Sequence, residues 1–557
     1  MALANFFDKA ALSAGSLLKN ANSEAIRTHL LSRVVGIAWD YSAATSPEAR
    51  STLDLCVDLL ARLYPRISLA PLAADSTNFA SGELAGKQHA LRERLSNRAS
   101  GINPLIEIDS KIQGATALLV IGQTPTEPSY VSETSILQQQ FYIGSQEWLA
   151  SISNVDPVGS GQTENPYGAG AAACFGASAV FQAVFRDFLD TDTGTGLSAR
   201  GDGGTLCFSV VDLKLTRDAL AHPAGERTEP PYVSIGETFL VGVGAIGNAV
   251  VWALSRTPSL HGTLHFIDPE MVDLTNVQRY VLSHQGAVGR TKVEMATEEM
   301  AAVTTTGNDV VALGHPESWA AYLNERANYR LERVLLALDS AEDRIAVQAA
   351  LPRWIANAWT QPENLGVSRH TFIGDGPCVA CLYHPTGPTK NRDQLYAEAL
   401  GCTTVDELME VRVLLHSGGP VGRAFIERIA ARRSIEPHEL FRFENASLDE
   451  FYVGALCGGL VFRLGGGLAN GRPAEVPMAF QSALAGILLA AELVSDAGGL
   501  RAPRLPARSE IDLLRLTVDG NTVAEVNSPA AKLSSGRCLC QDEVFLRAYS
   551  EKYALRE

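Results

Sequence analysis

The chain has 557 residues, of which 46% are hydrophobic and 19% charged, with a formal net charge of −16 at pH 7. This length predicts two or three domains, and the composition excludes an intrinsically disordered protein. The acidic balance argues against a nucleic-acid-binding protein, which needs a basic face against phosphates, and fits a cytoplasmic protein. The first residues lack the pattern of a secretory signal, and the longest apolar segment, 479–494, is short for a membrane span. We therefore expect neither a nucleic-acid nor a membrane partner.

In chain order, the apolar spacing predicts a helical segment over 1–60. Strand-like runs and one long small-residue helix then follow to residue 215, which predicts an α/β domain over 61–215. A polar, proline-rich stretch at 216–234 reads as a linker. From 235 to 557, strands and helices alternate, which is typical of a doubly wound, mostly parallel sheet.

Two small-residue helices occur at comparable places in the two halves of the chain. One lies in "ENPYGAGAAACFGASAVFQAVF" (164–185) and the other in "EVPMAFQSALAGILLAAELV" (475–494). Each segment begins with an acid and a proline and ends the strand-rich part of its half. They indicate an internal duplication, although two independent helices would give the same pattern.

The stretch "FLVGVGAIGNAVVWALSR" (239–256) has the sequence of a strand, a tight glycine turn and a helix. Its glycines are Gly242, Gly244 and Gly247, and Asp268 follows at the end of the next predicted strand. This order is typical of a nucleotide site, in which the turn and the helix N-terminus hold phosphate and the carboxylate binds ribose. A dehydrogenase and an adenosine-binding enzyme agree with it equally well.

The residues after Asp268 favour a triphosphate over a nicotinamide cofactor. Asn276, Arg279 and Lys292 supply an amide and two cations that can bind ATP and stabilise charge on its α-phosphate and on pyrophosphate. Asp339 ends a later predicted strand, where a carboxylate suits magnesium. A dehydrogenase would also need a catalytic histidine or a Tyr-x-x-x-Lys motif, and neither is evident in the sequence.

Four of the nine cysteines form two close pairs, Cys378 with Cys381 and Cys538 with Cys540. Two such pairs in a reducing compartment suggest a structural zinc site, while two unrelated thiol pairs are the alternative. Cys56, Cys174 and Cys207 have apolar neighbours and are expected in the core.

These motifs together resemble those of ubiquitin-activating enzymes and the adenylases of sulfur-carrier proteins. "DLTNVQRY" (273–280) matches the family's long motif at Asp273, Leu274, Asn276 and Arg279, "VGRTK" supplies Lys292, and "DSAEDR" keeps Asp339 and Arg344. The sequence departs from the family pattern at Tyr280, where the family has Gln, and at Ser340, where it has Asn.

The resemblance implies a Rossmann-like adenylation domain over 235–557, with the zinc site and a catalytic-cysteine insertion at about 382–470. It also implies that the preceding α/β domain is a degenerate, inactive copy, so that the protein is a homodimer or an intrachain pseudo-dimer. A catalytic arginine often comes from the partner half in this family, and Arg27 and Arg33 are candidates.

The implied activity is the ATP- and magnesium-dependent adenylation of the C-terminal glycine carboxylate of a ubiquitin-like protein. In that scheme Asp268 holds the ribose, Asn276, Arg279 and Lys292 hold the phosphates, and Asp339 holds magnesium. An enzyme cysteine then accepts the acyl group as a thioester for a conjugating enzyme, in a setting such as a bacterial antiviral operon. A sulfur-carrier adenylase without the thioester and a non-catalytic nucleotide-binding scaffold are the alternatives.

Two cysteines compete for the thioester role. Cys402 is followed by Thr403, as the family resemblance asks, and precedes a helix that Thr404 and Glu407 are spaced to cap. A helix N-terminus favours the thiolate, which supports Cys402. Cys457, in a glycine-flanked segment, is the second candidate.

Overall fold

The computed structural model describes residues 23–72, 82–128, 130–131, 136–189, 204–216, 232–303, 305–325, 330–361, 364–374, 376–383, 392–433, 437–452, 477–500, 505, 507–514, 523–524, 536 and 538–554. These residues fall into two compact units. The larger lies within His29–His384 and Pro477–Glu557, and the smaller within Met1–Thr28 and Pro385–Val476.

The N-terminal half of the larger unit is built on an eight-stranded sheet. Its strands are β1 (Val35–Trp39), β2 (Arg66–Pro71), β3 (Glu107–Asp109), β4 (Ala117–Ile121), β7 (Gln139–Gln146), β8 (Leu149–Ser153), β9 (Thr205–Ser209) and β10 (Lys214–Thr216), and a separate hairpin pairs β5 (Tyr130–Val131) with β6 (Ile136–Leu137). The sheet order is β3-β2-β1-β4-β7-β8-β9-β10. The first five strands are parallel, and each of the last three is antiparallel to its neighbour.

The C-terminal half has a second eight-stranded sheet with the same topology. Its strands are β11 (Val233–Val241), β12 (Leu260–Ile267), β13 (Asp309–His315), β14 (Arg333–Leu336), β15 (Trp354–Thr360), β16 (Leu365–Thr371), β17 (Arg508–Ile511) and β18 (Val523–Ala524). The order β13-β12-β11-β14-β15-β16-β17-β18 repeats the N-terminal order strand for strand, with five parallel strands followed by three antiparallel ones.

The helices of the larger unit lie mostly between these strands in the chain and repeat only in part. They are α1 (Ser23–Ser32, which begins in the smaller unit), α2 (Tyr41–Thr45), α3 (Pro47–Ala61), α4 (Gly82–Ile102), α5 (Pro166–Val184), α6 (Ala245–Ser255), α7 (Lys292–Ala302), α8 (Trp319–Asn324), α9 (Ala341–Ala349), α10 (Val379–Tyr383), α16 (Ala479–Ala497) and α17 (Glu543–Tyr553). The two small-residue helices predicted from the sequence, α5 and α16, each lie between two antiparallel strands in corresponding places. The structure therefore supports an internal duplication.

Small residues let α5, α6 and α16 pack closely at the centre of the larger unit. A Cβ on Gly170 of α5 would come within 2.7 Å of Ile487 and 2.8 Å of Trp252. A Cβ on Gly486 of α16 would run into the backbone oxygen of Ile246 and lie 2.6 Å from Ala249. By length and hydropathy alone α5 and α16 could span a membrane, but 89% and 94% of their apolar windows are buried inside the protein. They are core helices here.

The described part of the smaller unit consists mainly of short helices around one apolar cluster. They are α11 (Arg392–Leu400), α12 (Val405–Ser417), α13 (Arg423–Arg433), α14 (Pro437–Leu440) and α15 (Leu448–Phe451). Val411, Ile426 and Phe451 are buried in this cluster. These five helices lie within 382–470, where an insertion is predicted, whereas the unit itself runs to Val476 and includes Met1–Thr28.

The predicted fold class is confirmed: a doubly wound α/β adenylation-type domain follows a copy-like α/β domain. One expectation is wrong in detail, because residues 35–39 form a strand within the predicted helical segment 1–60. All five residues of β1 are buried between β2 and β4, and such a continuously apolar run cannot be told from a buried helix by periodicity. Most of the predicted linker 216–234 lies outside the described residues.

Candidate functional site

The glycine turn connects β11 to α6, and two of its glycines are required by packing. Gly242 has a φ of +91°, and a Cβ there would lie 2.5 Å from the carbonyl oxygen of Ala337. A Cβ on Gly247 would run into the carbonyl oxygen of Gly242. These contacts hold α6 directly against the ends of β11 and β14.

Gly244 has a different role, directly before the helix α6 that follows the turn. It is the N-cap of α6, but it has no side chain with which to cap the helix. The nearest atom to a Cβ there would be the hydroxyl of Tyr280, 3.6 Å away. The N-terminal amides of α6 are thus left for an approaching anion, as in phosphate sites at helix N-termini.

Asp268 lies directly after β12 and faces the glycine turn. It is 6% exposed, and its carboxylate accepts hydrogen bonds from the backbone N–H of Val243 at 2.7 Å and of Glu270 at 2.9 Å. Burial raises the pKa of Asp268, while Lys292 and these two N–H groups favour the carboxylate form. An acid at this strand end, held by the turn itself, is placed as a ribose-binding residue requires.

Lys292 begins α7, whose N-terminus is closed by a capping box of Thr291 and Glu294. Its ammonium group is 3.9 Å from the Asp268 carboxylate, pairs with Glu270 and lies 5.2 Å from the centre of the Tyr280 ring. Burial disfavours the charged amine, but these neighbours outweigh it and raise the pKa of Lys292. Tyr280, where the family has Gln, therefore lies close to both Gly244 and Lys292.

Asn276 and Arg279 belong to the turn that follows Asp268. The Asn276 side chain accepts a hydrogen bond from the N–H of Asp273 at 2.9 Å and so shapes the turn. Arg279 is half-buried, and within the described chain its guanidinium has neither a hydrogen-bond nor an ion-pair partner. A cation left in this state is available to an anionic ligand.

Asp339 lies three residues after β14 and is exposed. Its carboxylate has no partner among the described residues. Ser340, where the family has Asn, caps α9 by accepting the N–H of Asp343. Because the Ser340 side chain already caps α9, Asp339 is the one of these two neighbouring residues whose side chain is available to a ligand.

A cleft of about 270 Å³ adjoins Asp339. Its walls come from α6, the loop after β14, α9, the end of β15, α10 and β17, through Ile246, Leu338, Asp339, Arg344, Trp359, Thr360, Gln361, Leu382, Tyr383 and Arg508. Arg508 lies over the Trp359 ring, 4.9 Å from its centre. Sequence reasoning missed Trp359, Tyr383 and Arg508, since they are far apart in the chain and no motif connects them.

The N-terminal half has no glycine turn at the corresponding position. Asp40 follows β1, and its carboxylate accepts hydrogen bonds from the backbone N–H groups of Ala43, Gln123 and Thr124 at 2.9, 2.6 and 3.0 Å. Burial disfavours the charge, but these bonds and Ser42 lower the pKa of Asp40. In the N-terminal half the Asp40 carboxylate thus binds the backbone N–H groups after β1 and β4, whereas in the C-terminal half the amides at the N-terminus of α6 are open.

The two predicted cysteine pairs meet in space. The Sγ atoms of Cys378, Cys381, Cys538 and Cys540 all lie within 4.8 Å of one another, with separations of 3.5, 3.6 and 3.8 Å for three of the pairs. Four thiolates around one zinc ion stand about 3.8 Å apart, because each Zn–S bond is about 2.3 Å long. The donor set and its spacing therefore fit a tetrahedral metal site.

Cys402 belongs to the smaller unit and is half-buried just before α12, which Thr404 and Glu407 close with the predicted capping box. Burial raises the pKa of its thiol, and the Glu407 carboxylate adds to this effect, while Arg432 opposes it. The pKa shift is thus opposite to the one expected from the helix N-terminus, first because the thiol is half-buried and second because Glu407 lies at that same N-terminus. Cys457 lies outside the described residues.

The remaining candidates occupy other places. Arg27 is exposed on α1, and Arg33 is half-buried just before β1. Cys56, Cys174 and Cys207 are buried as expected. All three cysteines of the N-terminal half are therefore inaccessible in this fold.

Two protein families match this chain. The model of the ThiF family matches residues 234–528, and that of prokaryotic E2 family C matches residues 38–186. The ThiF match begins at β11 and includes the glycine turn, Asp268, Lys292 and Asp339. It covers just over half of the chain.

Similar proteins include one match over the full length and two over parts. The uncharacterized protein y4jF of Sinorhizobium fredii is 43% identical over 554 residues, covering 99% of this chain and 98% of that protein. The tRNA threonylcarbamoyladenosine dehydratase of Haemophilus influenzae is 28% identical over 116 residues, which are 20% of this chain and 42% of that enzyme. A crystal structure of E. coli MccB with MccA-N7isoASN matches at 15% identity and a TM-score of 0.31, covering 50% of this chain and 61% of that one.

Proposed function

Because the chain belongs to the ThiF family, we propose that it uses ATP to adenylate the C-terminal glycine carboxylate of a ubiquitin-like protein. The observation that carries this proposal is that two charges, Arg279 and Asp339, have no partner among the described residues and lie in segments near the open N-terminus of α6. A merely structural remnant of the fold would have little reason to keep both charges without partners.

In the proposed reaction a carboxylate oxygen of the substrate attacks the α-phosphorus of ATP, and pyrophosphate leaves. Asp268 binds the ribose hydroxyls, while the amides of α6, Arg279 and Lys292 hold the phosphates and stabilise the charge that develops on them. Asn276 shapes the turn that presents Arg279. Asp339 would hold magnesium, which neutralises phosphate charge.

The cleft beside Asp339 suits the C-terminal tail of the substrate. It opens at the carboxyl ends of the parallel strands, where ligands of such sheets bind. Trp359 and Tyr383 supply apolar walls, and Arg508 supplies a cation.

We propose further that Cys402 receives the acyl group: its thiolate attacks the acyl carbon, a thioester forms and AMP leaves. Elimination supports this assignment, since the three N-terminal cysteines are buried and four others form the metal cluster. Only Cys402 and Cys457 remain. The N-terminal half matches an E2 family, but all three of its cysteines are buried and none can accept the acyl group. We therefore propose that the conjugating enzyme is a separate protein.

The raised pKa of Cys402 favours a second candidate, a sulfur-carrier-type adenylase with no thioester. A reductant-sensitive adduct between the enzyme and its carrier on a non-reducing gel separates the two functions. Loss of the adduct in Cys402→Ala supports the relay through Cys402, whereas loss only in Cys457→Ala moves the relay to Cys457. No adduct in the wild-type protein supports the second candidate.

We also propose that zinc occupies the four-cysteine cluster and that the two halves form an intrachain pseudo-dimer, which their repeated topology supports. In the N-terminal copy the backbone N–H groups after β1 and β4 are bound by the Asp40 carboxylate and are not open to a phosphate. This supports an inactive role for that copy. A cytoplasmic location is proposed from the acidic composition, and a part in bacterial antiviral defence is proposed from the family resemblance alone.

Exchange of labelled pyrophosphate into ATP tests adenylation. We expect exchange only when magnesium and a small glycine-terminated carrier protein are both present. Tight binding of a nicotinamide cofactor without any ATP-dependent exchange would contradict the proposal.

A further inference from the structure

Arg62 connects the N-terminal half of the larger unit to the nucleotide site of the other half. It is the C-cap residue of α3 and is 1% exposed. Its guanidinium donates hydrogen bonds to three backbone carbonyls of the C-terminal half, those of Val277, Val281 (2.8 Å) and Ser283 (2.9 Å). The contact spans more than 200 residues of sequence.

These three carbonyls belong to the turn that carries Arg279 and Tyr280. Within that turn the N–H groups of Arg279, Tyr280 and Ser283 donate to the carbonyls of Asn276 and Tyr280. No backbone N–H of the described chain donates to the carbonyls that Arg62 binds. Buried carbonyls need partners, so Arg62 closes this turn as a capping group closes a helix end.

The charge of Arg62 faces these three carbonyl groups and is also stabilised by the nearby Asp58 carboxylate. Asp58, one helical turn earlier in α3, forms both of its close hydrogen bonds with Arg98 at 2.6 Å. Burial lowers the pKa of Arg62 to about 10, so the side chain stays cationic at neutral pH. A lysine could not replace the planar fork, because its single ammonium group cannot span three carbonyls in fixed positions.

We propose that Arg62 is a positioning residue for adenylation, whose fork fixes the turn 276–283 and thereby the place of Arg279. The N-terminal half then contributes to the reaction without touching ATP. This inference rests on the proposed function, since it gives Arg279 its role at the phosphates.

The test compares Arg62→Met, which keeps the apolar volume but removes the fork, with the wild-type protein in pyrophosphate exchange. We expect the KM for ATP to rise by about 10- to 100-fold, as losses of hydrogen bonds to a charged group do. Arg66→Met is the matched control, because Arg66 is an exposed arginine of the same half whose one partner among the described residues is Glu107. It should leave the KM unchanged.

A double-mutant cycle with Arg279→Ala separates positioning from general destabilisation. If Arg62 acts through Arg279, the double variant is no worse than Arg279→Ala alone. If the two fold-changes multiply, Arg62 does not act through Arg279 and the proposal is overturned.

Hydrogen exchange tests whether Arg62 stabilises the turn 276–283, without an activity measurement. The amides of 277–283 should exchange faster in Arg62→Met than in the wild-type protein. This measurement needs neither ATP nor a carrier protein. It therefore tests the role of Arg62 separately from the proposed adenylation activity. Arg62→Lys takes the place of Arg62→Met if that variant does not fold. A folded Arg62→Lys protein with the wild-type KM and unchanged exchange of this turn would overturn the proposal.

Discussion

At the scale of single residues, the nucleotide site contains two kinds of charge. Asp268 and Lys292 are buried near each other, and both belong to networks of hydrogen bonds or ion pairs. Arg279 and Asp339 have no partners in the part of the chain that the structure describes. The first pair therefore contributes to the local structure, while the second pair makes no described contact that a ligand would have to displace.

Asp339→Asn removes a charge without removing any described contact. We expect pyrophosphate exchange to fall by about 100-fold or more, because charge stabilisation in the transition state is lost, with little change in the thermal unfolding midpoint. Glu342→Gln, an exposed acid in the first turn of α9, is the control and should retain exchange. Equal exchange by the two variants would remove Asp339 from the mechanism.

The thiol of Cys402 should respond to its acidic neighbour. Its pKa is raised by burial and by Glu407, so the thiolate fraction is small at pH 7 and grows as the pH rises toward the pKa. Adduct formation with the carrier should accordingly increase between pH 7 and pH 9.

Glu407→Gln should lower the pKa of Cys402 and speed its alkylation by iodoacetamide at pH 8, because the repelling carboxylate is gone while Arg432 stays. Glutamine also serves in a capping box, so α12 is retained. Asp406→Asn changes an exposed acid of the same helix turn and is the control. Slower or unchanged alkylation in Glu407→Gln, measured by peptide mass spectrometry, would show that Glu407 does not set this pKa.

At the scale of elements, the helix of the glycine turn depends on its neighbour α16. Gly486 of α16 faces the backbone of Ile246, in the first turn of α6 where the open amides lie. The position of those amides is therefore set by a glycine about 240 residues away in sequence.

Gly486→Ala should displace the first turn of α6, because the new Cβ meets backbone atoms that cannot move aside. We expect a loss of about 1–3 kcal/mol in the free energy of unfolding and a higher KM for ATP. Gly101→Ala, at a helical glycine with no atom within 4 Å of its Cβ position, is the control and should be neutral or slightly stabilising. Wild-type stability and KM in Gly486→Ala would show that α6 tolerates the displacement.

At the scale of the whole molecule, the cysteine cluster joins segments about 160 residues apart, and α17 follows it. The hydroxyl of Tyr553 in α17 lies within hydrogen-bond distance of the carbonyl oxygens of Leu331 (3.0 Å) and Leu351 (2.8 Å), to which its single proton can be donated. The C-terminal segment is therefore held at two places, and the cluster closes a loop of about 160 residues by itself.

Cys540→Ser should reduce the zinc content of the purified protein and lower its thermal midpoint by at least about 3 °C, since metal binding contributes folding free energy. Pyrophosphate exchange below that midpoint should remain within about twofold of wild type, because the cluster takes no part in the chemistry. Cys402→Ser is the matched control for metal content. Wild-type protein without zinc, and with all four thiols open to alkylation, would contradict the zinc assignment.

The sequence by itself determined the nucleotide turn and the order of charges after it. Gly242, Gly247, Asp268 and Lys292 lie close together in the chain, so strand–turn–helix geometry brings them together wherever that pattern folds. The cysteine pairs could also be predicted, because metal ligands occur in local pairs whose spacing is visible in the sequence alone. The roles given to these residues at the site stay predictions.

Only the tertiary structure decided the features that depend on distant segments. Arg62 reaches the turn of Arg279 across the two halves, and Trp359 and Arg508 meet at the cleft from separate strands. It also showed β1 as a strand and reversed the expected pKa shift of Cys402, since a buried apolar run has no periodicity and the charge around a thiol depends on what packs against it. Local patterns specify local geometry, whereas burial and long-range pairing follow from the packing of the whole chain.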